Sequence, residues 1–376
     1  MRYASWLALA AALMPGCRQV FGIDPPRLAG DAAADSADGP VGPPADASYC
    51  YGPSTFLMCF DTPPTGSLDL TTTIDTGKLM TCAATLPASW TAAGQPDVCL
   101  LAYNDITIAT GIRAKGTRPL VLLAAATINV SATLDASSQN SNNPGPGASS
   151  PPCSVSINGY NNPNAQEPGG GGAGGTLAGA GANGGGNPPG IGVACAASIE
   201  HTPLRGGGDG GLGGAQPDYN LNSKPGLGGG AVYLVAGTSI TIGASGLINV
   251  SGGGGNGGVD VTGGGGGGAG GMIALYAPTI DAIGTLMSNG GGGGGGEGAG
   301  SNPSTASPTL GGMGGSFNGS PVGGTGCGRG AQPTAGANGS GASGFGASAG
   351  GGGCGFILSS DTQLSSATVS PGLTPF

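Results

Sequence analysis

Side chains that could do chemistry are few in this chain and rarely close together. The tightest polar group is His201, Arg205 and Asp209, an imidazole, a guanidinium and a carboxylate of the types that a polysaccharide lyase or glycoside hydrolase uses to move a proton. They sit between glycine tracts with no second acidic pair on a strand-like segment nearby, so the expected role of all three, and of Glu297, is that of solvated loop charges. Gly346-Ala347-Ser348-Ala349-Gly350 spells the G-x-S-x-G turn that presents a nucleophilic serine. That turn needs an acid and then a histidine after it, whereas the one histidine, His201, lies upstream. The G-x-G-x-x-G matches within Gly206 to Gly214 lack a preceding strand and a following helix, and Lys224 is followed by Pro225 rather than by the Ser or Thr of a phosphate loop. Gly255 to Thr262 approaches a calcium-binding nonapeptide, but the single Asp260 cannot supply the roughly six to eight oxygens calcium takes. No catalytic, cofactor-binding or metal-binding residue is assigned, and no cofactor is expected.

The cysteines carry a clearer message. Setting Cys17 aside leaves Cys50, Cys59, Cys82, Cys99, Cys153, Cys195, Cys327 and Cys354, an even set that suits an oxidising compartment. Sequential pairing ranks first among the many connectivities: Cys50 with Cys59, Cys82 with Cys99, Cys153 with Cys195, Cys327 with Cys354. Zinc is disfavoured, because no Cys-x-x-Cys spacing occurs.

Export is also written at the start of the chain. Met1-Arg2 and the apolar run from Tyr3 to Met14 have the form of a secretory leader, too short to span a bilayer. Its end, Leu13-Met14-Pro15-Gly16-Cys17, resembles the lipobox of bacterial lipoproteins, although Pro15 is atypical. The resemblance implies that residues 1–16 are removed and that Cys17 is acylated. Arg18, in place of an Asp, then implies the outer membrane; without acylation the protein would be secreted. Residues 29–48 are small, acidic and proline-rich, a disordered tether within the segment 17–48.

The elements that would position any site must be built from an unusual composition. Glycine supplies 86 of 376 residues, and charged residues are 8% and aromatics 5% of the chain, which favours backbone packing over side-chain chemistry. The net charge of −9 and the absence of a Lys/Arg cluster exclude nucleic-acid binding as the expected role. Residues 49–99, rich in cysteine and aromatics, read as an N-terminal cap. After them a repeat begins: Leu101-Ala102-x3-Ile106-x-Ile108 aligns with Leu123-Ala124-x3-Ile128-x-Val130 and with Val235-Ala236-x3-Ile240-x-Ile242. A fourth copy runs from Ala274 to Ala282 and a degraded one from Gly355 to Ser360. A second apolar segment follows at Ile112, Leu134, Ile248 and Leu286. The period-two alternation predicts half-buried strands, and the spacing predicts an all-β, parallel β-solenoid (β-helix-like) fold over residues 100–376, with glycine-rich inserts at 168–230, 252–271 and 289–353. Two states of those inserts stay open: flexible loops, or extended threefold helices pairing backbone groups side by side.

Cys17-Arg-Gln-Val-Phe-Gly-Ile-Asp24, Cys50-Tyr51, Cys59-Phe60 and Arg118-Pro119-Leu120-Val121-Leu122, with Asp135-Ala-Ser-Ser138, resemble uncharacterised glycine-rich myxobacterial-type surface lipoproteins. That resemblance implies an envelope-anchored protein and brings no activity with it. The expected function is a lipid-anchored cell-surface structural or adhesive protein without catalytic activity, with membrane lipid, and extracellular polysaccharide or other surface proteins, as partners. The alternative is a carbohydrate-binding or carbohydrate-processing β-helix protein, and a third expectation is contact with ice or mineral through flat glycine-rich faces.

Overall fold

Short β-branched segments set between glycines have too little length to stand alone, so they must pair across the chain. The computed structural model describes residues 48–376 apart from 79–81, 84, 140, 150–156, 162–168, 187–192, 197–199, 216–222, 260, 297–298, 304–309, 317–321, 329–345, 362–363 and 365. The expected leader, Cys17, the tether up to residue 47, Cys153, Asp260 and Glu297 therefore lie outside the described residues. In chain order the strands are β1 (Tyr49–Tyr51), β2 (Met58–Phe60), β3 (Ser67–Asp69), β4 (Ile74–Asp75), β5 (Cys99–Ile108), β6 (Ile112–Lys115), β7 (Leu120–Val130), β8 (Thr133–Asp135) and β9 (Ala231–Ala236). They continue as β10 (Ser239–Ile242), β11 (Leu247–Asn249), β12 (Met272–Tyr276), β13 (Thr279–Ala282), β14 (Thr285–Met287), β15 (Phe356–Ser359), β16 (Thr368–Ser370) and β17 (Thr374–Pro375). Helix is limited, among the described residues, to α1 (Ala88–Ala92) and a 3-10 turn at Ser54–Phe56.

These strands correct the expectation of a parallel β-solenoid. β1 and β2 pair antiparallel as a two-stranded sheet, and the other fifteen form two separate open parallel sheets, one of nine strands and one of six, with no closed barrel. The nine-stranded sheet runs β13-β10-β7-β9-β12-β15-β17, with β5 beside β7 and β3 beside β5; the other runs β16-β14-β11-β8-β6-β4. The physical reason lies in the connections. A solenoid needs one short coil after another, but the short spacing occurs only between the repeats that begin at Leu101 and Leu123. Afterwards the chain returns through residues 136–230, 250–271 and 288–355. Parallel strands demand long crossovers, usually helical. Here glycine tracts take that place.

The aligned isoleucines nevertheless meet. Ile128 of β7 pairs with Ile106 and with Ile240, and Ile240 pairs with Ile280. On the smaller sheet Leu134 pairs with Ile112 and Ile248, and Ile248 with Leu286. Both rows belong to one buried cluster between the sheets. Each such side chain contributes about 1.5–3 kcal/mol by burial. The long strand β7 serves two partners on one edge, with Leu120–Ala124 against β9 and Thr127–Val130 against β10. Its first half is buried on both faces, which explains the unbroken apolar run Leu120-Val121-Leu122-Leu123-Ala124. The second covering layer comes from residues 49–99, where Phe56, Met58 and Trp90 pack with Val121, Leu123 and Tyr233. Trp90 and Tyr233 stack with ring centroids 6.3 Å apart. β3 and β4, also within 49–99, are edge strands of the two sheets.

The glycine tracts are packed, which resolves the two states left open by composition. Gly169, Gly172 and Gly175 donate to Val261, Gly264 and Gly267; Gly170 and Ala173 donate to Tyr160 and Ile157; Gly171 and Gly174 donate to Gly185 and Ala182. Successive residues thus turn to three different neighbours, the period of a threefold extended helix. The tract 263–271 donates in the same rhythm to tracts around 208–214, 347–353 and 250–256, and accepts from three more around 172–175, 226–229 and 291–294. Buried backbone groups that no sheet would satisfy are satisfied here by one another. A Cβ built on Gly266 would stand under 3.0 Å from backbone atoms of Ala173, so the spacing admits no side chain.

Candidate functional site

The residues singled out for chemistry make the following contacts. Asp209 Oδ1 accepts from Gly228 N at 2.7 Å and from Ser149 Oγ at 2.9 Å. Burial pushes its carboxyl above the ordinary carboxylate range, against the pull of those two hydrogen bonds. Arg205 donates through an Nη to the Glu200 carbonyl at 3.3 Å, and the His201 ring lies edge-on to Phe356 at 6.4 Å. Asp209 joins the loop at Ser149 to the glycine tract at Gly228. Ser348 is fully buried inside the glycine body, where its carbonyl accepts from Gly185 N, so its segment is a packed tract rather than a nucleophile turn. Tract 206–214 is likewise occupied by backbone pairing, with Gly207, Gly210 and Gly213 donating to Gly229, Gly226 and Ser223. Among the described residues no group of three His, Cys, Asp or Glu is placed to hold a metal.

Three of the sequential disulfides are present: Cys50–Cys59 across β1 and β2, Cys82–Cys99 at the start of β5, and Cys327–Cys354 between two glycine tracts. Cys195 is also disulfide-bonded.

A second polar cluster was not foreseen. Arg113 Nη1 binds Asp135 Oδ2 at 2.7 Å, and Asp135 Oδ1 accepts from Ser137 Oγ at 2.6 Å and from its N–H at 3.2 Å. One strand along, Asn249 Oδ1 accepts from Ser251 N at 3.1 Å in the same way. These turns fasten the strand ends of the smaller sheet where the chain leaves for the glycine body. Their hydrogen-bonding capacity is spent on that task.

The feature with capacity left over is a face of the larger sheet. In the half built from β3, the end of β5, the end of β7, β10 and β13, the inward residues are the paired isoleucines. The residues between them point the other way. Register places Ser67, Asp105, Thr127, Ser239 and Thr279 in one row, and Asp69, Thr107, Asn129, Thr241 and Asp281 in a second. None of the ten is buried, and Ser67, Asp69, Asn129, Thr241, Thr279 and Asp281 are exposed. All are short, and each can accept a hydrogen bond. Within the first row Thr127 Oγ1 donates to Asp105 Oδ1 at 2.7 Å and Asn104 donates to Oδ2 at 2.6 Å, which together hold the Asp105 carboxyl below its ordinary range, the Thr127 bond contributing most. The Ile-x-Ile/Val alternation puts the residues at its x positions, Asn129 and Thr241 among them, on the outward face. The signal for the rest is the same alternation read across the pairing, including Ser67-Leu68-Asp69, which lies outside the repeat alignment.

A different surface lies on the glycine body. Leu310 and Met313, three residues apart and so on one side of a threefold helix, are exposed, as is Val322 on the adjacent tract.

With these surfaces in view, comparison with known proteins adds no relative: no family model, no curated protein and no solved structure matches the chain.

Proposed function

We propose that this chain is a cell-surface structural or adhesive protein, anchored by acylation of Cys17 in the outer membrane and holding its described body away from the lipid on the tether of residues 29–48. The observation that carries the proposal is the glycine body. A large part of the chain is committed to a lattice of backbone hydrogen bonds built from residues that carry few functional side chains. Such a body suits display and contact rather than turnover. Three disulfides between described cysteines support an oxidising location. Among the described residues no helix is long and apolar enough to cross a membrane, and the anchor in this proposal is the acyl chain. The similarity of the leader and cysteine pairs to surface lipoproteins points the same way.

The test is metabolic labelling with a fatty acid, combined with protease shaving of intact cells. Wild type should carry label and lose its body to protease from outside, whereas Cys17→Ala should carry none and leave the envelope. Equal labelling of both proteins, or a wild type protected from external protease, overturns the proposal.

A further inference from the structure

The two-row ladder on the larger sheet has a chemistry of its own. Parallel strands stand about 4.8 Å apart, so each row offers one short polar side chain at that interval over five strands. Its hydroxyls and amide both donate and accept, while Asp69, Asp105 and Asp281 only accept when ionised. No Lys or Arg stands in either row. The face is therefore rich in acceptors, negative, and set on a chain whose net charge is −9. Anionic polymers are repelled by it. A crystal surface such as ice or a mineral calls for side-chain tips of one kind at one height. Here Ser, Thr, Asn and Asp alternate, so their tips differ in reach and charge. An adaptable chain of donors with a short repeat meets such a face better than a rigid lattice does.

We propose that this ladder binds an extended, uncharged polysaccharide, laid across the strands so that successive sugars present hydroxyl donors to successive rungs. The inference rests on the adhesive form of the function proposed above and names its ligand class. Aromatic stacking platforms are absent from both rows, so affinity comes from repeated weak polar contacts and grows with polymer length. Asn129 and Thr241 stand side by side in the second row, exposed and outside the core. They are the residues to remove.

The experiment is co-sedimentation of the purified full-length protein with insoluble cellulose, chitin and starch, with soluble oligosaccharides of the same sugars as competitors and alginate beads as the anionic comparison. Wild type should bind at least one neutral polymer, and long oligosaccharides should compete where disaccharides do not. The double variant Asn129→Ala/Thr241→Val should bind at least about tenfold more weakly, with an unchanged unfolding midpoint to show that it is folded. Met313→Ser, on the glycine body, should bind like wild type. Binding to none of the neutral polymers, equal binding to alginate, or equal loss in Met313→Ser overturns the ladder assignment. Adhesion of whole cells that persists alongside any of these results leaves the surface-protein function standing; labelling and shaving results that fail while polymer binding survives remove the anchoring and not the ladder.

Discussion

Replacing Gly266 by alanine is the most direct challenge to the packed glycine body. Its N–H donates to the Gly211 carbonyl at 2.8 Å, and its own carbonyl accepts from Gly226 at 2.8 Å. A Cβ at this position would lie within 3.0 Å of backbone atoms of Ala173, which cannot rotate away as a side chain could. The neighbouring tract must move, and with it goes the bond from Gly211 N to the Ala173 carbonyl, also 2.8 Å. Three backbone bonds weakened at about 1 kcal/mol each put the cost near 3 kcal/mol. Alanine returns about 0.4–1 kcal/mol by restricting the unfolded chain, leaving a net loss of roughly 2 to 3 kcal/mol. Gly111 is the matched control, because a Cβ there meets nothing within 4 Å. Gly111→Ala should be neutral or stabilising by up to about 1 kcal/mol. Urea unfolding followed by circular dichroism compares the two, and with a slope of about 3 kcal/mol per molar the Gly266 variant should lose close to 1 M in midpoint. Midpoints that coincide would mean the tracts do not pack as described, and the reasoning would fail at its base.

Other expectations concern the core, one buried charge and the staples. Ile240→Ala opens a cavity between Ile128 and Ile280 and should cost about 2–5 kcal/mol, while Thr241→Ala, one residue on and facing out, should stay within about 0.5 kcal/mol; similar denaturation midpoints would refute the assigned faces. Because burial raises the Asp209 carboxyl in the folded state, its contribution to stability is full below the ordinary carboxylate range and fades as pH rises through the raised value. Asp209→Asn should therefore gain on wild type as pH rises from the ordinary carboxylate range through the raised value, since its amide oxygen can still accept from Gly228 and Ser149; a difference that stays constant over that rise would show the charge is not strained. Asp105 has the opposite sign: its hydrogen bonds stabilise the ionised form, so Asp105→Asn should lose most at neutral pH and converge on wild type as pH falls through the lowered value, as thermal melts across pH would reveal. Changing Cys327 and Cys354 together to serine should cost about 2–4 kcal/mol, and non-reducing peptide mapping of wild type should recover Cys50–Cys59, Cys82–Cys99 and Cys327–Cys354 as linked pairs.

What could be seen in the sequence was whatever side chains encode. The Ile-x-Ile/Val alternation identified the ends of β5 and β7 and β10, the fourth copy identified β13, and aligning the copies matched residues that do pair, Ile128 with Ile240 in particular. The inference from those copies to a coil failed because alignment reports which strands are alike and not how the chain travels between them. Between β8 and β9 it travels through residues 136–230, far beyond a coil's turn. Partner choice among the glycine tracts had no sequence signal at all, since residues without side chains carry no mark of which carbonyl they meet. The ladder was half visible. Asn129 and Thr241 could be placed outward, but adding Asp69 and Asp281 to their row required the pairing of β3 with β5 and of β10 with β13. The ion pair of Arg113 with Asp135 stayed hidden for a similar reason, because the two are distant in sequence and adjacent only through the pairing of β6 with β8.

A lattice held by identical residues with a period of three has a degeneracy that ordinary sheets and helices lack. Sliding one tract by three glycines returns every donor to an equivalent acceptor, so nothing in the glycines themselves fixes the alignment. That task falls to the interruptions: Leu177, Leu204 and Ala269, which are buried against the sheet, and the bridge from Cys327 to Cys354. Length changes along these tracts are then graded by arithmetic rather than by size. An insertion of three glycines preserves the phase of all downstream bonds, whereas an insertion of one rotates each later residue toward the wrong neighbour. Gene variants of this protein that differ by glycine codons in multiples of three should remain assembled, and those out of phase by one should not.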